Sequence, residues 1–260
     1  MSRRWWIGWK RQIKKNTSNR LLKNAHLLRC AANLIARRIS MRNAAYGLFT
    51  KSPKGIKKGH PLMGLRLSAP FILASASPRR IELLRLLGLD FIVMPSGADE
   101  SFQQGESPQA HVLRLSADKA ALVAAAHPGN WVLGADTIVV IDGEVLGKPA
   151  GPDEARQMLK KLSARAHTVF TGFTIARQEP RLLISEAVAS TVLFRAISED
   201  ELAWYVRSRE PYDKAGAYAV QGRGAFFIRE IRGSYTNVMG LPLCEVVDVL
   251  KKVGAVAFTA

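Results

Sequence analysis

Apolar and polar positions change rhythm along this chain in a way that separates strands from helices. Residues 70–75, Pro-Phe-Ile-Leu-Ala-Ser, read as a buried strand, and residues 79–88 follow with leucines at helical spacing, stopped near Gly88. Residues 91–94 predict a short strand. Residues 108–126 predict a long Ala/Leu-rich helix that stops before Pro128-Gly129. Residues 131–134 are an apolar strand ending at Ala135-Asp136, and residues 138–141 and 144–146 form a hairpin through the tight Asp142-Gly143 turn. A helix over 152–163 is followed by two long β-prone stretches, 168–177 and 182–194, joined by a polar turn. Residues 198–207 predict a helix with Ser198 as N-cap and Glu201 at capping-box spacing. A strand over 225–231 and a helix over 243–253 complete the series. No internal repeat is visible, and the alternation predicts an α/β protein with a mixed sheet.

The charge pattern divides the chain differently. Its formal net charge is +17, but residues 1–62 hold 16 of the 38 Lys and Arg and no acid, and the first acidic residue is Glu82. The remainder carries 22 basic against 21 acidic residues, close to neutral. The expected organisation is therefore a basic N-terminal extension, 1–62, and a body, 63–260. In the extension, Leu21, Ala25, Leu28, Ala32, Ile35 and Ile39 share one helical face, with Trp5, Trp6 and Trp9 among basic residues ahead of them. That pattern fits an upstream start before the true one at Met63, an organellar transit peptide, or a tail contacting nucleic acid or an acidic membrane surface. No run reaches the roughly 18 apolar residues of a bilayer span. Cys30 and Cys244 stand apart with no metal spacing, which favours a reducing compartment; Cys244 reads as a small buried apolar residue. The five His are scattered, and His111, His127 and His167 read as structural or solvated side chains, not metal ligands.

Candidate chemistry begins where the first strand meets its helix, at Ser75-Ala-Ser77-Pro78-Arg79-Arg80. Pro78 suits the first helical position and Ser77 the N-cap. A helix N-terminus favours an anion, and two arginines add planar donor forks, so this corner reads as a phosphate site. Asp136, after a buried strand, can orient water or hold a divalent ion, although a lone Asp more often caps a turn. Lys119, Lys148 and the loop pair Asp99-Glu100 have the same double reading: phosphate or metal chemistry, or solvated surface. Residues 210–222, Glu-Pro-Tyr-Asp-Lys-Ala-Gly-Ala-Tyr-Ala-Val-Gln-Gly, mix turn glycines, aromatics, opposite charges and a glutamine, which nothing in core packing calls for. Residues 233–242 form a second polar loop entering the last helix.

Together, Ala-Ser75-x-Ser-Pro-Arg79-Arg80, Gly-Ala-Asp136-Thr137, Gly-Lys148-Pro, Glu210-Pro-x-Asp-Lys-Ala-Gly-Ala-Tyr-x-x-Gln221-Gly and Gly233-Ser-Tyr-x-x-Val-x-Gly-Leu-Pro resemble, in order and spacing, the Maf family of nucleoside triphosphate pyrophosphatases, once described as septum-formation inhibitors. The resemblance covers residues 69–253 and none of the extension. It implies an α/β, Maf/inosine-triphosphatase-like fold: a mixed twisted sheet flanked by helices, with a central cleft. It implies Mg²⁺- or Mn²⁺-dependent cleavage of a nucleoside triphosphate between the α- and β-phosphates. The family's proton acceptor falls on Asp136, with Lys119 and Lys148 as its catalytic cations. Its phosphate-contacting residues fall on Ser75 and Arg80, its metal-associated acids on Glu100 and Asp136, and its specificity positions on Arg79, Thr137 and Gln221. In the branch acting on 7-methyl-GTP the residue after the catalytic Asp is usually Gln; with Thr137 there, the trio resembles the branch acting on dTTP and UTP. Two rivals stand beside this reading: a pyrophosphatase for 7-methyl-GTP or modified purine triphosphates, and a non-catalytic septation regulator that binds nucleic acid or membrane through the basic tail. A cytoplasmic homodimer with no obligatory nucleic acid is the expected form.

Overall fold

The computed structural model describes residues 64–259, so the predicted extension lies outside the described residues. Nine strands and six α-helices follow one another: β1 (Gly64–Leu67), β2 (Phe71–Leu73), α1 (Pro78–Leu86), β3 (Ile92–Val93), α2 (Pro108–Ala126), β4 (Trp131–Ile141), β5 (Glu144–Leu146), α3 (Pro152–Leu162), β6 (Ala166–Arg177), β7 (Leu182–Phe194), α4 (Glu199–Val206), β8 (Ile228–Arg232), α5 (Tyr235–Met239), α6 (Leu243–Lys252) and β9 (Val256–Thr259). The main sheet has the order β3-β2-β4-β6-β7-β8, with β5 also on β4; β2 runs parallel to β3 and β4, and every other pairing is antiparallel. The predicted mixed sheet is present. β1 and β9 pair with each other in a separate two-stranded sheet. Among the described residues no helix is long and apolar enough to cross a membrane.

Strand alternation sorts β4 onto two faces. Leu133, Ala135, Val139 and Ile141 pack with α1, α3 and α6, through Leu83, Leu84, Leu159, Leu162 and Val249 among others. Val132, Ile138 and Val140 face α2, through Ala120, Val123 and Val112. On the α2 side the sheet is cut down to glycine at two points. A Cβ on Gly134 would lie 2.3 Å from the Ser116 carbonyl oxygen, and one on Gly172 would lie 2.2 Å from that of Val112. Helix α2 thus rests directly on the backbone of β4 and β6.

Several local expectations change. β4 continues unbroken through Asp136 to Ile141, instead of ending before it. Residues 223–227 form a 3-10 turn before β8, because the Arg223 and Gly224 N–H groups donate to the Glu210 carboxylate. Cys244 is exposed, contrary to its reading as buried: α6 buries Val246, Val249 and Leu250, and Cys244 falls on the opposite face. Loop 233–242 contains the short helix α5, capped by the Ser234 hydroxyl. The predicted capping box at Ser198 and Glu201 is present.

Candidate active site

Beyond Leu73 strand β2 leaves β4, and β5 rejoins that edge only at Val139. The gap opens a cavity of about 440 Å³, within the range of small-molecule sites. Asp136 and Thr137 sit in it as consecutive residues of β4 and project to opposite faces. Asp136, on the α2 face, meets Lys119 of α2, with Nζ to Oδ1 at 2.7 Å. Thr137, on the other face, meets Arg80 of α1, with the guanidinium 2.9 Å from its hydroxyl. Asp136 is therefore a largely buried mid-strand residue lining a sheet-edge gap, not a residue beyond a strand end.

Lys119 is held between two carboxylates. Its ammonium also lies 2.6 Å from Glu100 Oε1, on the loop before α2. The Lys119 side chain is 8% exposed and that of Asp136 11%, so the pair is largely desolvated. Asp136 Oδ2 and Glu100 Oε2 have no protein partner among the described residues. Asp99, paired with Glu100 in the sequence reading, instead accepts from Ser101 N–H and hydroxyl, which keeps its carboxyl below the usual range. The loop carrying Glu100 is fastened to α2: Arg114 donates to both oxygens of Glu106 and to the Ser101 carbonyl. The Arg114 hydrogen bonds hold the Glu106 carboxyl down at about 2 against the opposing pull of desolvation. His111, expected to be structural or solvated, is buried, bonds Glu106 and stacks on Phe102.

Arg80 is buried and turned inward. Its Nε donates to the Gly240 carbonyl at 2.8 Å, one terminal nitrogen donates to Ser75 Oγ and the Ala135 carbonyl, and the other donates to Thr137. Four of the five N–H donors of a guanidinium are thus used on protein oxygens. Burial lowers its proton affinity; Asp136 raises it, the neighbouring Arg79 charge lowers it, and Glu100 raises it. Ser77 is the N-cap residue of α1, as expected, but its side chain makes no cap bond; its N–H donates to Ser75 Oγ. Ser75 therefore joins the helix start to Arg80.

The remaining candidates lie around the rim. Arg79 is half-buried, 3.6 Å from Asp213. Lys148 is exposed and makes no ion pair among the described residues. Eight of the nine residues singled out in the sequence line the cavity; Gln221 is exposed, one residue past the lining Val220. Glu210 and Lys214 carry no local sequence signal that assigns either a task. The Glu210 carboxylate accepts from Tyr205 hydroxyl and from the N–H groups of Arg223 and Gly224, fixing the turn that carries Gln221.

The donor set suits a hard divalent cation that arrives with its ligand. No group of three or more His, Cys, Asp or Glu able to hold a metal occurs among the described residues. Glu100 and Asp136 each keep an oxygen without a partner, and one or two carboxylates plus substrate phosphates is the usual set for Mg²⁺. Charge agrees: Arg79, Arg80, Lys119, Lys148 and Lys214 against Glu100, Asp136 and Asp213 leave an excess of two positive charges in the lining. A triphosphate brings roughly four negative charges, and a divalent cation closes the difference.

A family model described as Maf-like protein matches residues 70–253. A dTTP/UTP pyrophosphatase of Syntrophus aciditrophicus is 60% identical over 193 residues, covering 74% of this chain and 94% of the relative. Proteins of the same name from Geobacter sp. (strain M21) and Myxococcus xanthus are 50% and 49% identical, covering 72% and 70% of this chain and 97% and 92% of their own. A solved HAM1 protein from Coxiella burnetii is 14% identical, with a TM-score of 0.40 over 71% of this chain and 99% of its own, too distant to bear on the argument. The match over nearly all of the described residues, and the share of each relative covered, establish that this chain belongs to the Maf-like family.

Proposed function

We propose that this chain hydrolyses dTTP and UTP to the monophosphate and pyrophosphate. The observation that carries the reading is the Asp136–Lys119–Glu100 arrangement in a cation-lined cavity, in a chain 60% identical to a protein of that activity. The N-terminal N–H groups of α1, the spare Arg80 donor and Lys148 offer positive charge to the phosphates. Asp136 Oδ2 has no protein partner and is free to take a water hydrogen bond; with Oδ1 held by Lys119, the carboxylate is fixed in orientation and receives the water proton as the α-phosphorus is attacked. The third Lys119 donor faces no protein acceptor among the described residues and is available to a phosphate oxygen. Glu100, Asp136 and the substrate phosphates would hold Mg²⁺ or Mn²⁺, whose chemistry is to neutralise the leaving pyrophosphate and polarise phosphorus.

Base selection falls to Arg79, Thr137 and Gln221 in this reading. Thr137 acts through its contacts: it accepts from Arg80 and lies 3.0 Å from Thr171, whose hydroxyl donates to the Asn237 carbonyl. Gln221 is exposed on the turn, one residue past the lining Val220, and would meet the base from the edge of the cavity. The basic residues of 1–62 supply polyanion attraction and no catalytic group, because every matched motif lies within 70–253. A panel of triphosphates tests the assignment. Pyrophosphate release is expected to be fastest from dTTP and UTP; preference for 7-methyl-GTP, or turnover of none, would overturn it.

A further inference from the structure

Of the five cations lining the cavity, Arg80 is held by four protein oxygens and Lys119 lies between Glu100 and Asp136, whereas among the described residues the only acid on Lys214 is the exposed Asp213 and Lys148 makes no ion pair. Lys148 and Lys214 are therefore the lysines whose charge a highly charged ligand can most readily take over. Lys214 belongs to the 210–222 loop, its side chain is 13% exposed, and its ammonium donates to the Glu210 carbonyl at 2.8 Å. The loop is tied to the segment that carries Lys148. The Gly216 N–H donates to the Gly147 carbonyl at 3.0 Å, which joins the residue before Lys148 to the residue two past Lys214. The backbone there is strained. Gly216 (φ 69) and Ala217 (φ 60) are consecutive left-handed residues, and Ala217 is a fully buried non-glycine. A Cβ on Gly216 would press on Val139 of β4 at 3.1 Å. Packing therefore holds a conformation that the chain resists locally, as happens where a ligand is clamped.

Asp213 adds the last observation. Its side chain is 63% exposed, yet one oxygen lies 2.5 Å from Lys214 Nζ and the other 3.6 Å from Arg79. An exposed carboxylate bridges two cavity cations. A terminal phosphate, with more charge and three acceptor oxygens, would satisfy the same cations better.

We propose that Lys214 and Lys148 together hold the two terminal phosphates of the substrate, the part that leaves as pyrophosphate, and that Asp213 caps Lys214 until those phosphates displace it. The proposal rests on the pyrophosphatase reading above. Inorganic pyrophosphate and uridine monophosphate, each titrated calorimetrically into the full chain with Mg²⁺ present, test it. Lys214→Met is expected to weaken pyrophosphate binding about tenfold or more and to leave the monophosphate within about twofold, while Lys214→Arg recovers part of the loss. Asp213→Asn is expected to tighten pyrophosphate. Equal weakening of both ligands by Lys214→Met would show a distorted loop and overturn the proposal, as would unchanged pyrophosphate binding; unchanged or weaker binding by Asp213→Asn would overturn the cap. If the wild-type chain turns over no triphosphate but Lys214→Met selectively loses pyrophosphate, the hydrolase reading falls and the lysine pair stands.

Discussion

Asp136→Asn is expected to lower kcat on dTTP by about 10²–10⁴-fold, the usual cost of removing a general base, while nucleotide still binds. The substitution keeps the shape of the side chain. An asparagine oxygen can still accept from Lys119, and Glu100 still holds the other side of that ammonium, so the frame of the site survives. What disappears is the charge and the oxygen that receives the water proton. Steady-state rates and nucleotide affinity, measured on the same preparation, separate chemistry from binding. A variant that keeps more than about a tenth of the wild-type kcat takes Asp136 out of this role.

Alongside Gly172→Ala on β6, Gly134→Ala should be among the most damaging single methyl additions in the described part of the chain. Its Cβ would lie 2.3 Å from Ser116 O, 2.7 Å from Ala120 N and 2.9 Å from Ala120 Cβ. Two of the three are backbone atoms of α2, so no rotamer change relieves the clash and the helix itself must lift. Overpacking of this kind costs about 1–3 kcal/mol, and the melting temperature falls about 2–4 °C for each kcal/mol in a domain of this size. The helix that lifts also carries Lys119, while Asp136 stays on β4 two residues from the clash. Activity is therefore expected to fall further than the loss of folded protein accounts for. Thermal melting and turnover well below the melting temperature measure the two separately, and a variant that melts like wild type with full turnover contradicts the packing argument.

The strands and helices were legible because their signals are local. Pro78 starts α1 and the Ser198–Glu201 capping box starts α4 as their spacing predicts. What escaped the sequence depends on long-range pairing. Asp136 was expected past a strand end, since nothing local reveals that β2 is only three residues long and that β5 returns to the same edge. The partnership of β1 with β9 joins opposite ends of the body. Arg80 looked like a free donor fork; its four protein acceptors come from the loop after β2, from β4 and from the α5–α6 corner, which only the fold assembles. Lys119 and Glu100 entered through family resemblance, because a lysine and a loop acid carry no signal of their own until α2 is set on Gly134 and Gly172. Gly134 could have been suspected as a glycine within an apolar strand, a mark of close backbone approach.

The isotope position after hydrolysis in H₂¹⁸O tests the central claim most directly. If water held by Asp136 attacks the α-phosphorus of dTTP, the label appears in thymidine monophosphate and the pyrophosphate is unlabelled. Label in pyrophosphate, or release of orthophosphate, would contradict the account.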